Sequence, residues 1–184
     1  MPATKLKIQD AVSSLDLKDH ACLVFSNPRR WREFIVDFLV MGVERLERCV
    51  YITALHTPDH MRHMLAGARS GLERALASGQ LLVTHFSQVY TPKGVFEPET
   101  TIKGLENSVT SALAAGYKGL RVTGEMHWAS YRPPGYTRLA HYEALLNPMF
   151  EKHPCLAVCQ YDRALFAPDL LDEIAGLHPW VVEA

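Results

Sequence analysis

The chain has 184 residues, of which 48% are hydrophobic and 21% are charged, so it has the composition of a globular domain and is neither disordered nor fibrous. A formal net charge of −1 excludes a global electrostatic preference for nucleic acid or an anionic membrane. The longest apolar run, 34–41, contains Asp37 and is too short to cross a bilayer, and residues 1–10 lack the apolar segment of a signal peptide. We therefore expect a single cytoplasmic domain over residues 1–184.

Six short apolar runs predict buried strands. They cover residues 21–25, 49–53, 81–86, 120–123, 156–161 and 180–182. The segments between them have apolar residues three and four positions apart and predict helices, the first with Trp31, Phe34 and Phe38 on its apolar face. Asn27 before Pro28 and Thr57 before Pro58 predict two helix starts, because Asn and Thr cap helices and proline suits the first turn. This alternation predicts a three-layer α/β domain, with a largely parallel sheet of five or six strands covered by helices on both faces.

Prolines mark the irregular parts of the chain. Residues 90–100 contain two prolines and a glycine and are predicted to form the longest loop, and Pro133 and Pro134 lie in a second loop. Pro148 is predicted to break or kink the helix that precedes the fifth strand, because proline has no amide hydrogen to donate.

The four cysteines are predicted to be free, structural thiols. Cys22 and Cys49 lie in apolar strands, where a small buried side chain is common. Cys155 and Cys159 belong to one predicted strand, where four residues span about 13 Å, too far for a disulfide or a shared metal ion.

The carboxyl ends of the strands are the predicted binding region, because open parallel α/β sheets bind ligands there. The predicted ligand-binding residues at this edge are Asn27, His56, Tyr90, Glu125, Met126, His127, Trp128 and Tyr161.

Two of these residues have an alternative, purely structural interpretation. Glu125 is either a general base in an apolar pocket or a carboxylate that accepts hydrogen bonds from backbone amides or from an arginine such as Arg121 or Arg163. Trp128 either forms a pocket wall, with the proline-containing loop as a movable cover, or fills the core.

The motifs of the common nucleotide sites do not occur in the sequence. Neither G-x-x-x-x-G-K-[ST] nor G-x-G-x-x-G is present, and the segment after the first predicted strand has no glycine to let the backbone approach a phosphate. Arg29 and Arg30 could hold an anion at a helix start, but a solvated helix face is the favoured interpretation.

Metal and hydrolase chemistry have weaker signals. His56, His60 and His63 have the spacing H-x3-H-x2-H, yet they lack an accompanying H-E-x-x-H pattern, so surface histidines are the favoured interpretation and a metal site the alternative. Glu125 with His127 is a still weaker metal candidate. No G-x-S-x-G motif is present. We therefore predict no metal, no other cofactor and no enzymatic activity.

Five segments together resemble a known family. They are DHACLVF at 19–25, GYKGLRVTGEMHW at 116–128, YEALLN at 142–147, CQYD at 159–162 and HP at 178–179. In this order they resemble the MEDS domain, a sensory domain of methanogen and methylotroph regulators, and the resemblance extends over residues 17–182. It implies a core similar to RecA- and KaiC-type ATPases that has lost the phosphate loop. It also implies small-molecule sensing in prokaryotic signal transduction.

The leading hypothesis is a sensory domain that binds a small organic ligand at the carboxyl ends of the strands. Its expected partner is an output module, a kinase or a DNA-binding protein supplied elsewhere, and a homodimer is possible, whereas direct contact with nucleic acid or membrane is not expected. The alternative is a metal-dependent hydrolase or a vestigial nucleotide-binding protein.

Overall fold

The structure, a computed structural model, describes residues 3–184 and consists of one parallel sheet with helices on both faces. Its strands are β1 (Thr4–Leu6), β2 (His20–Phe25), β3 (Arg48–Thr53), β4 (Leu81–His85), β5 (Leu120–Glu125), β6 (Cys155–Asp162) and β7 (Trp180–Glu183). Its helices are α1 (Ile8–Ser14), α2 (Pro28–Glu44), α3 (Pro58–Ala68), α4 (Ser70–Ser78), α5 (Phe86–Val89), α6 (Pro98–Ala114), α7 (Leu139–Lys152) and α8 (Pro168–Leu177). The 3-10 segments Met126–Tyr131 and Tyr136–Arg138 connect β5 to α7.

The strand order is β1-β7-β2-β6-β5-β3-β4, and every neighbouring pair is parallel. The predicted α/β architecture and the six predicted strands are confirmed. The sequence did not predict the seventh strand, β1, because its three residues lie at the sheet edge and are largely exposed, so they lack an apolar pattern. Pairing with β7 supplies the hydrogen bonds that define β1.

Both predicted helix starts are confirmed. The Asn27 side chain accepts hydrogen bonds from the backbone amides of Arg29 and Arg30, at 3.0 and 3.2 Å. The Thr57 hydroxyl accepts one from the amide of His60 at 3.2 Å. These bonds satisfy amides that would otherwise lack a partner in the first turns of α2 and α3.

Of the predicted break or kink at Pro148, the break is wrong, because α7 continues to Lys152. Met149 and Phe150, which follow the proline, are both buried in the core, and this packing offsets the lost hydrogen bond. The predicted loop over 90–100 is also shorter than expected, since α6 begins at Pro98.

Alternate residues of each central strand contribute to two separate cores. Along β6, Leu156 and Val158 face helices α1 to α4, whereas Ala157 and Cys159 face α6, α7 and α8. Successive side chains along a strand point to opposite faces of the sheet, so the position of a residue, odd or even, determines which layer of helices its side chain meets. All four cysteines are buried and free, as predicted. Among the described residues, no helix is long and apolar enough to cross a membrane.

Candidate functional site

An apolar cavity of about 290 Å³ lies between the sheet and helices α6 and α7. Val50, Ile52 and Val122 of β3 and β5 form its floor, and Leu105 and Leu146 of the two helices form its opposite wall. The cavity forms on the face of the sheet where α6 crosses β3 and β5, so it lies beside the middle of the strands as well as their carboxyl ends.

The cavity presents hydroxyl and amide groups but no charge. The side chains of Gln88, Thr100, Thr101 and Ser108 supply its polar groups, and none of the described residues that line it is acidic or basic. Burial raises the pKa of the lining Tyr90, Tyr142 and Cys159 well above their ordinary values, so these groups stay neutral at physiological pH. Such a lining suits a neutral, mostly apolar ligand.

Tyr90 is the predicted ligand-binding residue that lies in the cavity wall. Its ring stacks on Trp128, with the ring centroids 5.0 Å apart, and Trp128 packs in turn against Phe96 at 4.6 Å. Trp128 and Met126 are fully buried, so the arrangement agrees with the core-filling interpretation of Trp128. The loop that contains Pro133 and Pro134, the predicted movable cover, is hydrogen-bonded to the segment before α6. The amide of Phe96 donates a 2.8 Å hydrogen bond to the carbonyl oxygen of Pro134.

Glu125 is a buried carboxylate that is fully engaged in hydrogen bonds. Its Oε1 accepts a 2.6 Å bond from the Tyr51 hydroxyl, and its Oε2 accepts bonds of 2.7 and 2.8 Å from the amides of Ala54 and Leu55. This agrees with the backbone-amide interpretation. Arg121, one of the two arginines named as possible partners, pairs instead with Glu47, with Nε and Oε2 2.5 Å apart.

The remaining predicted residues lie in different surroundings. Asn27 is exposed at the start of α2, and His127 is buried, with its Nε2 3.8 Å from Asp162 Oδ2. Tyr161 faces α7, on the opposite side of the sheet from Glu125, because the two residues have opposite parity on adjacent strands. The structure therefore does not gather the eight residues into one pocket, and their contact with a ligand stays a prediction.

The three histidines proposed as a weak metal site are exposed and do not converge. The rings of His56 and His60 lie 4.7 Å apart, but the Nδ1 of His63 lies 2.7 Å from the carbonyl oxygen of Asp59. Within residues 3–184, one group of potential metal ligands lies close enough together to hold an ion, and it does not include these three histidines.

That group consists of His20, Glu143, Cys159 and His178, and all four are buried. One ligand atom from each lies within 4.8 Å of the others. His20 begins β2, Cys159 lies in β6, Glu143 lies in α7 and His178 follows α8. We call this group the buried His-Glu-Cys cluster. Sequence reasoning predicted only a structural thiol at Cys159 and assigned no role to His20, Glu143 or His178, although all four belong to segments that resemble the family.

The charge state of the cluster follows from its burial and its mutual contacts. Burial alone would raise the pKa of Glu143, but the His178 and His20 imidazoles hold it below its usual range. Burial and the neighbouring His178 lower the pKa of His20, while Glu143 and Asn147 act in the opposite direction. The arrangement therefore favours an ionised carboxylate beside a neutral His20 imidazole.

The fold defines the class of the protein. Solved structures that are similar to this chain include the flagellar accessory protein FlaH of Methanocaldococcus jannaschii, with a TM-score of 0.67 and 8% identity over 95% of this chain and 75% of that one. The KaiC-like protein PH0186 of Pyrococcus horikoshii OT3 has a TM-score of 0.64 and 13% identity over 94% of this chain and 78% of that one. The chain thus has a RecA/KaiC-like α/β fold, as the resemblance implied.

The family follows from the sequence model. The model of MEDS, the methanogen/methylotroph, DcmR sensory domain, matches residues 19–179, so the chain belongs to this family. The transcriptional repressor DcmR of Methylorubrum extorquens (strain DSM 6343 / CIP 106787 / DM4) is 22% identical over 162 residues. The match covers 88% of this chain and 58% of the repressor. The chain is therefore a regulatory sensory domain, and it spans little more than half the length of this relative.

Proposed function

We propose that this domain senses a small, neutral organic molecule bound in the cavity between the sheet and helices α6 and α7. The observation that carries the proposal is the uncharged, largely apolar lining of a cavity of about 290 Å³ inside a member of a sensory family. This proposal places the pocket on the face of the sheet, whereas the sequence predicted it at the carboxyl ends of the strands. Tyr90 belongs to the predicted site and also lines the cavity.

The cavity size sets an upper limit on the ligand. An apolar cavity of about 150 Å³ is large enough to bind benzene, so a cavity of roughly twice that volume suits a molecule of about one ring or a short chain. The hydroxyl groups of Thr101 and Ser108 could orient one polar atom of such a ligand. The hydrophobic effect would supply most of its affinity.

The same lining supports a binding role rather than catalysis. General acid-base chemistry needs a titratable group whose pKa lies near the working pH. The titratable groups of this cavity, Tyr90, Tyr142 and Cys159, have pKa values raised well above their ordinary values by burial. We therefore propose a module that reports ligand occupancy to an output protein, either a kinase or a DNA-binding module, rather than one that transforms the ligand.

Benzene binding followed by NMR tests the cavity, with a blocking variant and a matched control. Gly104 lies in α6 at the cavity, and a Cβ added there meets no atom within 4 Å, so Gly104→Leu adds a side chain beside the cavity whose Cβ has open space. Gly67 in α3 also has open space around its Cβ position and lies away from this cavity. Each replacement removes a glycine from a helix, so the gain in helix propensity should stabilise the two variants by a similar amount, up to about 1 kcal/mol.

We expect benzene to shift the methyl resonances of Val50, Val122 and Leu105 in the wild-type protein and in Gly67→Leu. In Gly104→Leu the benzene affinity should fall at least about tenfold, which corresponds to about 1.4 kcal/mol. Equal benzene binding by the two variants, or no binding by the wild type, would contradict the proposal.

A further inference from the structure

We infer that the buried His-Glu-Cys cluster is a binding site for one divalent transition-metal ion of the zinc type, held by His20 Nε2, Glu143 Oε2, Cys159 Sγ and His178 Nε2. This site lies beneath α7 and α8, and it is separate from the three surface histidines that the sequence offered. It goes beyond the proposed sensing function, since a metal ion can stabilise the domain whether or not the cavity binds a ligand.

Four of the six separations between the ligand atoms of the cluster match the edges of a tetrahedron of ligands. Glu143 Oε2 lies 3.3 Å from His20 Nε2, 3.4 Å from His178 Nε2 and 3.4 Å from Cys159 Sγ. Cys159 Sγ lies 3.6 Å from His20 Nε2. Four ligand atoms placed about 2.0 to 2.3 Å from a tetrahedral ion are separated by about 3.3 to 3.8 Å, so these four separations already have the required length. The other two, from His178 Nε2 to His20 Nε2 and to Cys159 Sγ, lie within 4.8 Å, so binding an ion draws His178 inward at most modestly.

The opposite nitrogen of each imidazole already has a partner. His20 Nδ1 lies 2.9 Å from Asn147 Oδ1, and His178 Nδ1 lies 2.8 Å from the carbonyl oxygen of Ile174. Each contact joins an imidazole to an oxygen acceptor, which favours the tautomer with hydrogen on Nδ1 and leaves the Nε2 lone pair free for a metal. Tyr161 donates its hydroxyl hydrogen to the other carboxylate oxygen of Glu143 and orients that ligand in the same way.

Without an ion, the cluster leaves polar atoms poorly satisfied. His178 Nε2 is buried and has no hydrogen-bond partner among the described residues. If both imidazoles are neutral, their Nε2 lone pairs face a carboxylate oxygen, an arrangement that costs free energy in a buried environment. A cation placed between them would turn these repulsive contacts into bonds.

Charge balance also favours a divalent ion. Without an ion the Cys159 thiol is neutral, and it becomes a thiolate only when a metal ion displaces its proton. That thiolate and the Glu143 carboxylate carry two negative charges, and two neutral imidazoles add none, so a divalent cation makes the buried site electrically neutral. On binding, the Cys159 S–H bond breaks, its proton leaves to solvent and a sulfur lone pair forms the metal bond. Mixed nitrogen, sulfur and oxygen ligands suit zinc, whereas calcium and magnesium prefer oxygen alone.

Elemental analysis and cobalt substitution test the site on the full chain. Because all four residues are buried, an ion enters most readily during folding, so the protein is refolded from chelator-treated, denatured material with Zn²⁺ or Co²⁺. We expect one zinc per chain in the first case. In the second we expect a near-ultraviolet thiolate charge-transfer band together with the visible bands of tetrahedral Co²⁺.

Cys22 provides the matched control for the sulfur ligand. It pairs with Cys159 across β2 and β6, it is equally buried and free, and it is not part of the cluster. The charge-transfer band should disappear in Cys159→Ala and persist in Cys22→Ala. Asn147→Leu should retain the band but weaken cobalt affinity about 10- to 100-fold, because it releases the His20 ring.

The wild-type measurements decide the matter even if Cys159→Ala does not fold. Folded wild-type protein that binds neither Zn²⁺ stoichiometrically nor Co²⁺ with a thiolate band would show that the cluster is a proton-linked ion-pair network, and the inference would be overturned. Loss of the band in Cys22→Ala but not in Cys159→Ala would overturn it as well. Since benzene binding is measured separately, failure of the metal site and failure of the sensing proposal are distinguishable.

Discussion

Trp128 is fully buried between Tyr90 and Phe96, and its indole nitrogen has no hydrogen-bond partner among the described residues. We expect Trp128→Phe to lower the free energy of unfolding by about 1 to 2 kcal/mol, because the smaller ring leaves a void that the surrounding aromatic rings cannot fill. Urea denaturation of the variant and the wild type measures the change.

Benzene titration of the same variant separates the two interpretations of this tryptophan. A core-filling role predicts that the surviving folded protein still binds benzene with similar affinity. An unchanged stability together with weaker benzene binding would instead show that Trp128 forms part of a ligand-binding wall.

His127 is a buried imidazole without a hydrogen-bond partner at either ring nitrogen among the described residues. Burial lowers its pKa, while the carboxylates of Glu125 and Asp162 oppose that effect and His56 adds to it. Since the pKa is lower in the folded state, the unfolded chain binds the proton more readily. The contribution of the neutral His127 to stability is therefore fully present above about pH 6.5, and it is lost as the pH falls from there toward the folded-state pKa.

We expect His127→Leu to be as stable as the wild type, or more so, at pH 7, because the replacement removes two unsatisfied nitrogens. Between pH 7 and 5 the free energy of unfolding of the variant should fall less steeply than that of the wild type. The difference in slope corresponds to the uptake of up to about one proton fewer on unfolding. Denaturation at several pH values measures both effects, and parallel pH profiles for the two proteins would be inconsistent with this account.

At the scale of single elements, Gly124 shows how closely β5 packs against the segment after α5. A Cβ added at Gly124 would lie 2.3 Å from the Tyr90 hydroxyl oxygen. Tyr90 cannot easily move, because Trp128 stacks on its ring and Tyr142 meets it edge-on at 6.0 Å. We expect Gly124→Ala to cost about 1 to 3 kcal/mol of stability, the usual effect of overpacking, as measured by denaturant unfolding.

Gly176 in α8 is the matched glycine for this comparison. A Cβ added there meets no atom within 4 Å, and the residue lies inside a helix, where alanine is favoured over glycine. Gly176→Ala should therefore be neutral or stabilising by up to about 1 kcal/mol. A similar loss of stability in both variants would argue against a specific clash with Tyr90.

At the scale of the whole molecule, the RecA/KaiC-like fold is present without a glycine-rich loop after β2. The connection to α2 consists of Ser26 and Asn27, and the Asn27 side chain occupies the amides of Arg29 and Arg30. Backbone amides at a helix start that are already hydrogen-bonded cannot also hold a phosphate group. We expect calorimetry to detect no specific binding of Mg-ATP or Mg-GTP, whereas micromolar affinity for either nucleotide would refute this.

The amino-acid sequence was sufficient to predict the α/β class, six of the seven strands, the helix starts at Asn27 and Thr57, and the family. These features follow from local signals, namely apolar periodicity, capping residues and a specific run of residues at 119–128. Strand β1 and the continuation of α7 through Pro148 depend on contacts with distant residues, and local signals missed both.

Which side chains meet depends on the three-dimensional arrangement of the strands and helices. His20 and Cys159 are 139 positions apart, and they come together because β2 pairs with β6, a neighbour relation that no local pattern encodes. Strand parity places Glu125 and Tyr161 on opposite faces of the sheet, although both lie near carboxyl ends of strands. The cavity is likewise a property of packing, because a void depends on how α6 and α7 fit against the sheet, and the composition of each helix alone does not determine that fit.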